Sequence, residues 1–218
     1  MELYFLRHGD TEIALFKTQR ADYERKLTEY GIIQLAKEAL GLKQFVDGFD
    51  IIFTSPLVRA VQTAGVFGKI FNCEDKIITL DSLAPPTNLE ELLESIAFQG
   101  DLERVLCVGH APSLGEMATE IITGIEEDRM LPLKKGGLIC IEMDRPDPSA
   151  ESKLLYFIPP MFLVKLGEAY GKEKDLADKE LEGERKDTDT EMKEDSFIEH
   201  ISGNEGYHMP PGGIEIEA

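Results

Sequence analysis

The chain has 218 residues, of which 42% are hydrophobic, and a formal net charge of −19. This length allows one domain with a substantial core, and the negative charge argues against nucleic acid as a partner. No apolar run is long enough to cross a membrane and the N-terminus has no secretion signal, so we expect a cytoplasmic protein that does not bind membranes. Its three cysteines lack metal-ligand spacing, and their odd number argues against a disulfide framework.

Predicted strands and helices alternate along the chain. The strands are short apolar runs, and the helices carry apolar residues at every third or fourth position. Strands are predicted over residues 2–6, 50–54, 76–80, 104–108, 137–143 and 153–158. Helices are predicted over residues 32–46, 56–71, 88–98 and 112–122, and an amphipathic segment ends near residue 170. The alternation predicts an α/β fold, a three-layer α/β/α sandwich with a mostly parallel central sheet.

Two helices carry more specific predictions. In the first helix, apolar residues at helical spacing predict the buried face: Ile32, Leu35, Ala36, Ala39 and Leu40. In the second helix, Ser55 followed by Pro56 predicts a start at residue 56 with Ser55 as the N-cap.

The composition changes near residue 171. Residues 171–218 carry 15 acidic and 6 basic side chains and few apolar residues that could form a core. Such a segment buries too little apolar surface to offset the entropy lost on ordering. We therefore predict a folded domain over residues 1–170 and an acidic C-terminal extension over residues 171–218 that is disordered or loosely packed.

Arg7, His8 and Gly9 follow the first predicted strand directly. Open α/β sheets bind their ligands at the carboxyl ends of the strands. A neutral imidazole nitrogen is nucleophilic near neutral pH, and an arginine offers charged donors to phosphate oxygens. Gly9 would allow the backbone to approach a ligand closely. The tripeptide is therefore a candidate phosphoryl-transfer site.

Two further residues stand at comparable positions. Arg59 falls in the first turn of the helix after the second strand, where free N–H groups favour an anion. His110 follows the buried strand 104–108, as His8 follows the first strand. Arg59 could instead be a surface arginine, and His110 a structural histidine.

Four motifs together resemble the histidine phosphatase (phosphoglycerate mutase-like) superfamily over roughly residues 1–165. In chain order they are Arg7-His8-Gly9, Leu27-Thr28-x-x-Gly31, Ser55-Pro56-x-x-Arg59-Ala60-x-Gln62-Thr63 and Gly109-His110. The resemblance implies a metal-independent hydrolase without a cofactor, in which His8 becomes phosphorylated and water then hydrolyses it.

The resemblance also implies roles for the neighbouring residues. Arg7, Arg59 and His110 would bind the phosphoryl oxygens and stabilise the charge of the transition state. For this role His110 is expected to be protonated, or at least to donate a hydrogen bond. His8 must be neutral at the attacking nitrogen, so its other nitrogen is expected to donate to a backbone carbonyl.

The general acid is not obvious. Asp10, Asp81 and Glu90 are candidates, each with a structural or solvent-facing role as the alternative. A compact chain with weak acid candidates is similar to SixA-type phosphohistidine phosphatases, because an imidazole leaving group needs less help from an acid than an alkoxide does. Arg25, before Leu27-Thr28, resembles an arginine of that branch that would reach the phosphate; an exposed Arg25 is the alternative.

Three hypotheses follow for the function. The first is a phosphatase that acts on phosphohistidine in a protein. The second is a phosphomonoesterase for sugar phosphates or similar metabolites; a mutase is less favoured because the chain lacks the extra segments that hold a mutase substrate. The third is a phospho-ligand binding module without turnover, against which the intact set of Arg7, His8, Arg59 and His110 argues.

Overall fold

The computed structural model describes residues 1–13, 18–125 and 131–172. In these residues the strands are β1 Glu2–Arg7, β2 Ile51–Thr54, β3 Ile77–Thr79, β4 Arg104–Gly109, β5 Leu138–Met143 and β6 Ser152–Ile158. The α-helices are α1 Gln19–Tyr23, α2 Glu29–Leu42, α3 Val58–Phe71, α4 Leu89–Phe98, α5 Ser113–Thr123 and α6 over residues 160–172. Short 3₁₀ turns cover Glu74–Lys76 and Asp81–Leu83.

The strands form one sheet in the order β3-β2-β4-β1-β5-β6. Strands β3, β2, β4 and β1 pair in parallel, whereas β5 and β6 are antiparallel additions at the β1 side. The prediction of a mostly parallel α/β sandwich is confirmed. Because the parallel strands end at the same edge, the residues that follow β1, β2 and β4 are brought together there.

Helices cover both faces of the sheet. Alternate residues of β1 point to opposite sides, with Leu3 and Phe5 in one core and Tyr4 and Leu6 in the other. The first core is closed by α4 and α5, and the second by α2 and α3 together with Leu163 of α6. Burial on both faces explains why these strands are continuous apolar runs rather than alternating ones.

The buried face of α2 differs from its prediction. Leu35 and Ala39 are buried as expected, but Ile32 is 42% exposed, and Glu38 is 3% exposed. The helix backbone lies close to α6, where a side chain on Gly41 would collide with the carbonyl of Leu163. Packing against both the sheet and α6 therefore turns the helix so that a glutamate faces inward.

The start of α3 also corrects a prediction. The helix begins at Val58, with Leu57 at the N-cap and no side-chain hydrogen bond to cap it. Ser55 was expected to be that cap. Its hydroxyl instead lies 2.8 Å from Nε2 of His110, a partner that is distant in sequence. By contrast, Asn88 does cap α4, accepting a hydrogen bond from the Glu91 N–H group.

The predicted acidic extension lies outside the described residues from position 173 onward. Met1–Gly171 form one compact unit. Within the described ranges, every helix is too short or too polar to cross a membrane.

Candidate active site

Three polar side chains meet where β1, β2 and β4 end. The backbone N–H of His8 donates to the carbonyl of Gly109 at 3.0 Å, and that of Ser55 donates to Val108 at 2.9 Å. The parallel ladder therefore continues past the strand ends and aligns these residues. The rings of His8 and His110 lie 5.2 Å apart, centroid to centroid. The two histidines thus share one site, as their positions after β1 and β4 predicted.

His8 is buried, and its two ring nitrogens have different partners. Nδ1 lies 2.8 Å from the carbonyl oxygen of Gly9, so it carries the proton and donates. Nε2 then has a lone pair, which accepts a hydrogen bond from Nε of Arg59 at 3.3 Å. Burial, together with the smaller effects of the nearby His110, Arg59 and Arg7, lowers the pKa of His8 to about 3. His8 is therefore neutral at pH 7, with Nε2 free of a proton.

Arg59 connects His8 to a residue that the sequence reasoning missed. The Arg59 side chain is 5% exposed, and its Nη1 donates to the carbonyl oxygen of Asp22 at 2.6 Å. Its Nη2 pairs with Oδ2 of Asp22 at 3.1 Å, while Arg25 pairs with Oδ1 of the same carboxylate at 3.1 Å. Asp22 thus joins two arginines beside His8. Its place three residues before Arg25, a spacing that allows ion pairs on a helix, was the available signal.

His110 is neutral in the free protein. Its Nε2 and the Ser55 hydroxyl share a hydrogen bond of 2.8 Å, and its buried Nδ1 has no partner among the described residues. Burial lowers the pKa of His110 to about 4, and the charge of Arg59 acts in the same direction. The expectation was a His110 that is protonated or that at least donates a hydrogen bond, and burial, together with the charge of Arg59, favours the neutral donor in the free protein. A neutral imidazole still has one N–H to donate.

Arg7 lies at the end of β1, beside both histidines. Its Nη1 donates to the carbonyl of Leu133 at 2.7 Å, and its buried Nε has no partner among the described residues. The charge of Arg7 contributes to the lowered pKa of His8 and of His110. Arg7 also lines a cavity of about 310 Å³ with Ala111 at the approach to α5. Arg7 therefore retains a buried N–H donor without a protein acceptor in the described part of the chain.

The three residues predicted as possible general acids, Asp10, Asp81 and Glu90, have different surroundings. Oδ1 of Asp10 pairs with Lys135 at 2.7 Å and Oδ2 accepts from Thr28, and these partners lower the pKa of the Asp10 carboxyl. Asp81 and Glu90 are exposed. Within the described ranges, no hydrogen bond or ion pair joins any of the three predicted acids to His8. The carboxylate that does reach the site is Asp22.

The remaining motif residues hold the loop that follows His8. Gln62 accepts a hydrogen bond from the Leu27 N–H at 2.8 Å, and Thr63 accepts one from Gly9 at 3.2 Å. A side chain on Gly31 would collide with the carbonyl oxygen of Asp10, so the start of α2 fits tightly under the loop. These contacts explain the uncharged motif residues Gly9, Gly31, Gln62 and Thr63.

The part of the chain that the structure describes contains no group of three or more His, Cys, Asp or Glu side chains that could hold a metal ion.

Comparisons with known proteins give a consistent result. A protein-family model, the histidine phosphatase superfamily (branch 1), matches residues 3–84. An uncharacterized protein of Picosynechococcus sp. is 34% identical over 173 residues, which cover 75% of this chain and 99% of the relative.

Several solved structures have a similar fold. The protein histidine phosphatase SixA in complex with tungstate superposes with a TM-score of 0.61 at 24% identity, covering 75% of this chain and 99% of SixA. A protein of Agrobacterium tumefaciens assigned as a phosphohistidine phosphatase SixA gives 0.58 at 26% identity, covering 73% and 98%. A protein of Escherichia coli assigned as an alpha-ribazole-5'-P phosphatase gives 0.56 at 18% identity, covering 73% and 98%.

Proposed function

The chain belongs to the histidine phosphatase superfamily and is a phosphatase, and from this we propose that it hydrolyses phosphohistidine in a protein substrate, with His8 as the nucleophile. The observation that carries the proposal is the state of His8. Its ring is buried and neutral, Nδ1 is anchored on the Gly9 carbonyl, and the lone pair of Nε2 faces Arg59. A nucleophile for phosphorus needs this combination of a free lone pair and a fixed ring.

The reaction proceeds in two displacements. Nε2 of His8 attacks phosphorus in line while the bond from phosphorus to the substrate nitrogen breaks, and the leaving imidazole takes up a proton from water. A water molecule then attacks the phosphorus on His8, which releases inorganic phosphate and restores the neutral ring. Arg7, Arg59 and His110 donate to the phosphoryl oxygens in both steps, which stabilises the charge that spreads over them.

The surroundings of His8 support phosphohistidine over an alkyl ester. The carboxylate that reaches the site, Asp22, is already held in ion pairs with Arg59 and Arg25. An alkoxide needs a strong proton donor to leave, whereas an imidazole has an ordinary pKa near neutrality and does not. The SixA structures with this fold support the same substrate class.

A small phosphate ester is the second candidate substrate. The similar fold of the protein assigned as alpha-ribazole-5'-P phosphatase favours it, because that name describes a small-molecule ester. The exposed Asp81, which follows β3, would be the proton donor to test in that case.

The test compares the two substrate classes directly. Hydrolysis of a histidine-phosphorylated protein is measured beside a panel of sugar phosphates. We expect kcat/KM for the phosphohistidine protein to exceed that for the esters by at least about tenfold, since the esters lack an efficient acid. A preference for any ester would reject the phosphohistidine assignment.

Labelling tests the nucleophile separately. With a ³²P-labelled substrate we expect an acid-labile, base-stable phosphoenzyme that His8→Ala abolishes together with turnover. His208→Ala, at a histidine outside the described residues, is the matched control and should retain both. Unchanged turnover in His8→Ala would reject the mechanism, and binding of phosphate without turnover in the natural protein would favour a binding module.

A further inference from the structure

A second cleft, of about 470 Å³, opens beside the loop that follows His8. Gly9 and Asp10 form one wall, and α2 and α6 form the others. Its lining is largely apolar, with Tyr30 and Leu35 from α2 and Met161 from α6. A volume in this range fits a small ligand or one long side chain.

Glu38 is one of the residues that line this cleft. The residue is 3% exposed, and Oε2 has no hydrogen-bond partner among the described residues. The carboxyl packs against Gly136, where a side chain would collide with both of its oxygens. Gly136 has a φ of +73°, a conformation that glycine adopts without strain. The glycine at position 136 therefore leaves room for a buried carboxyl group, one oxygen of which has no hydrogen-bond partner among the described residues.

Charged groups surround the mouth of the cleft. Lys135 pairs with Asp10 at 2.7 Å, and Lys37 pairs with Glu168 at 2.6 Å. Lys165 of α6 is the other charged lining residue. The charges of Lys135 and Lys37 are thus offset by neighbouring carboxylates, and neither lysine donates to the carboxyl below. Among the polar residues that line the cleft, which include Gln34, Glu38 is the most buried.

We propose that this cleft binds a primary ammonium group carried on a short apolar stem, with Glu38 as its counter-ion. A buried carboxyl oxygen without a hydrogen-bond partner is unfavourable, and an ammonium group would supply three N–H donors together with a positive charge opposite to that of the ionised carboxylate. The stem would lie against Leu35, Met161 and Val164. The inference is independent of the substrate at His8, because none of these residues contacts phosphate in the proposed mechanism.

The binding has a measurable proton signature. Burial raises the pKa of Glu38 to about 8, so the carboxyl is largely protonated at pH 7 when the cleft is empty. An ammonium ion favours the carboxylate and therefore displaces the proton on binding. A neutral ligand with the same stem would leave Glu38 protonated.

The probe is n-butylammonium, with n-butanol as the uncharged compound of equal length. Calorimetric titration at pH 7 in two buffers of different ionisation enthalpy measures the proton released per ligand bound. We expect release of most of one proton, and binding at least about tenfold tighter than that of n-butanol. With ¹³C-labelled glutamate, the Glu38 carboxyl resonance is expected to move to its ionised position as the ligand is added.

Glu38→Gln keeps the size of the side chain and removes its charge. We expect this variant to lose the preference for n-butylammonium and the proton release, with its thermal transition retained. Glu94→Gln, at an exposed glutamate of α4, is the matched control and should bind like the natural protein. His8→Ala should also bind n-butylammonium normally, which separates this test from that of the phosphatase mechanism. Equal affinity for n-butylammonium and n-butanol, or an unmoved Glu38 resonance, would overturn the proposal.

Discussion

Nε of Arg59 donates to Nε2 of His8 at 3.3 Å, so the nitrogen proposed to attack phosphorus is covered by an arginine in the free protein. The same arginine is held on its other side by Asp22. For His8 to react, Arg59 must exchange these partners for the oxygens of the phosphoryl group. In the free protein the Arg59 guanidinium already has protein partners, so an incoming anion must compete with Asp22 for it.

Asp22→Asn weakens that competition. The amide cannot form an ion pair with Arg59 or Arg25, so both guanidinium groups are more available to an anion. We expect vanadate and inorganic phosphate to inhibit about two- to fivefold more tightly, the range of a half-exposed ion pair. Inhibition constants of the two proteins measure the effect, and weaker inhibition in the variant would show that Asp22 orders the arginines instead.

Arg59→Lys tests the geometry of the guanidinium rather than its charge. A lysine has one point of donation and cannot contact His8 and Asp22 together as Arg59 does. We expect kcat/KM to fall by about 10²–10³-fold, the loss typical of a missing donor to transition-state charge. Arg20→Lys, at a side chain that is 87% exposed, is the matched control and should leave kcat/KM unchanged.

The two histidines make folding stability depend on pH. Their pKa values are about 3 and 4 in the folded protein against 6.5 ordinarily, so below pH 6.5 the unfolded chain binds protons that the folded one does not. The free energy of unfolding is therefore expected to fall as the pH decreases from 7 to 5. Urea unfolding of the natural protein and of a His8→Asn, His110→Asn double variant measures this slope. If the variant has the same slope, the histidines are not the cause.

Glu38 gives the free energy of unfolding the opposite dependence on pH. Its pKa is raised from 4.5 to about 8, so the folded protein keeps a proton that the unfolded chain loses above pH 5. Its contribution to stability is present below about pH 4.5 and is lost as the pH rises to 8. Glutamine does not titrate, so the free energy of unfolding of Glu38→Gln should lack this loss. We expect the difference in that free energy, variant minus natural protein, to rise by on the order of 3 kcal/mol between pH 5 and pH 8. An equal difference at both pH values, from urea unfolding, would contradict an elevated pKa.

Gly31→Ala should loosen the loop that follows His8. The new methyl group would collide with the carbonyl oxygen of Asp10, so the start of α2 must shift. We expect a loss of about 1–3 kcal/mol in the free energy of unfolding and a lower kcat. Gly65→Ala, inside α3 with open space around it, is the matched glycine and should gain about 1 kcal/mol without changing kcat.

The sequence was a good guide to the sheet and to the ends of its strands. Apolar runs marked the strands because most of them are buried on both faces, and the motif residues follow those runs directly. His8 and His110 share a site for this reason. The start of α3 was less well predicted. The Ser55 hydroxyl could either cap the helix or bind a distant histidine ring, and the local sequence is the same in both cases.

The sequence by itself determined the α/β fold, because strand and helix periodicity are local properties of the chain, and its motifs carried the resemblance to the superfamily. It also predicted that His8 and His110 lie at one edge, because both directly follow buried strands. The tertiary structure decided which carboxylates matter. Asp22 reaches Arg59 across 37 positions, and Glu38 faces inward because α2 packs against both the sheet and α6. Such contacts depend on how helices are rotated and docked, which the hydrophobic pattern of one helix does not specify. His8 could be found in the sequence, but the neutral state of its ring came from the burial and the arginines that only the folded chain brings to it.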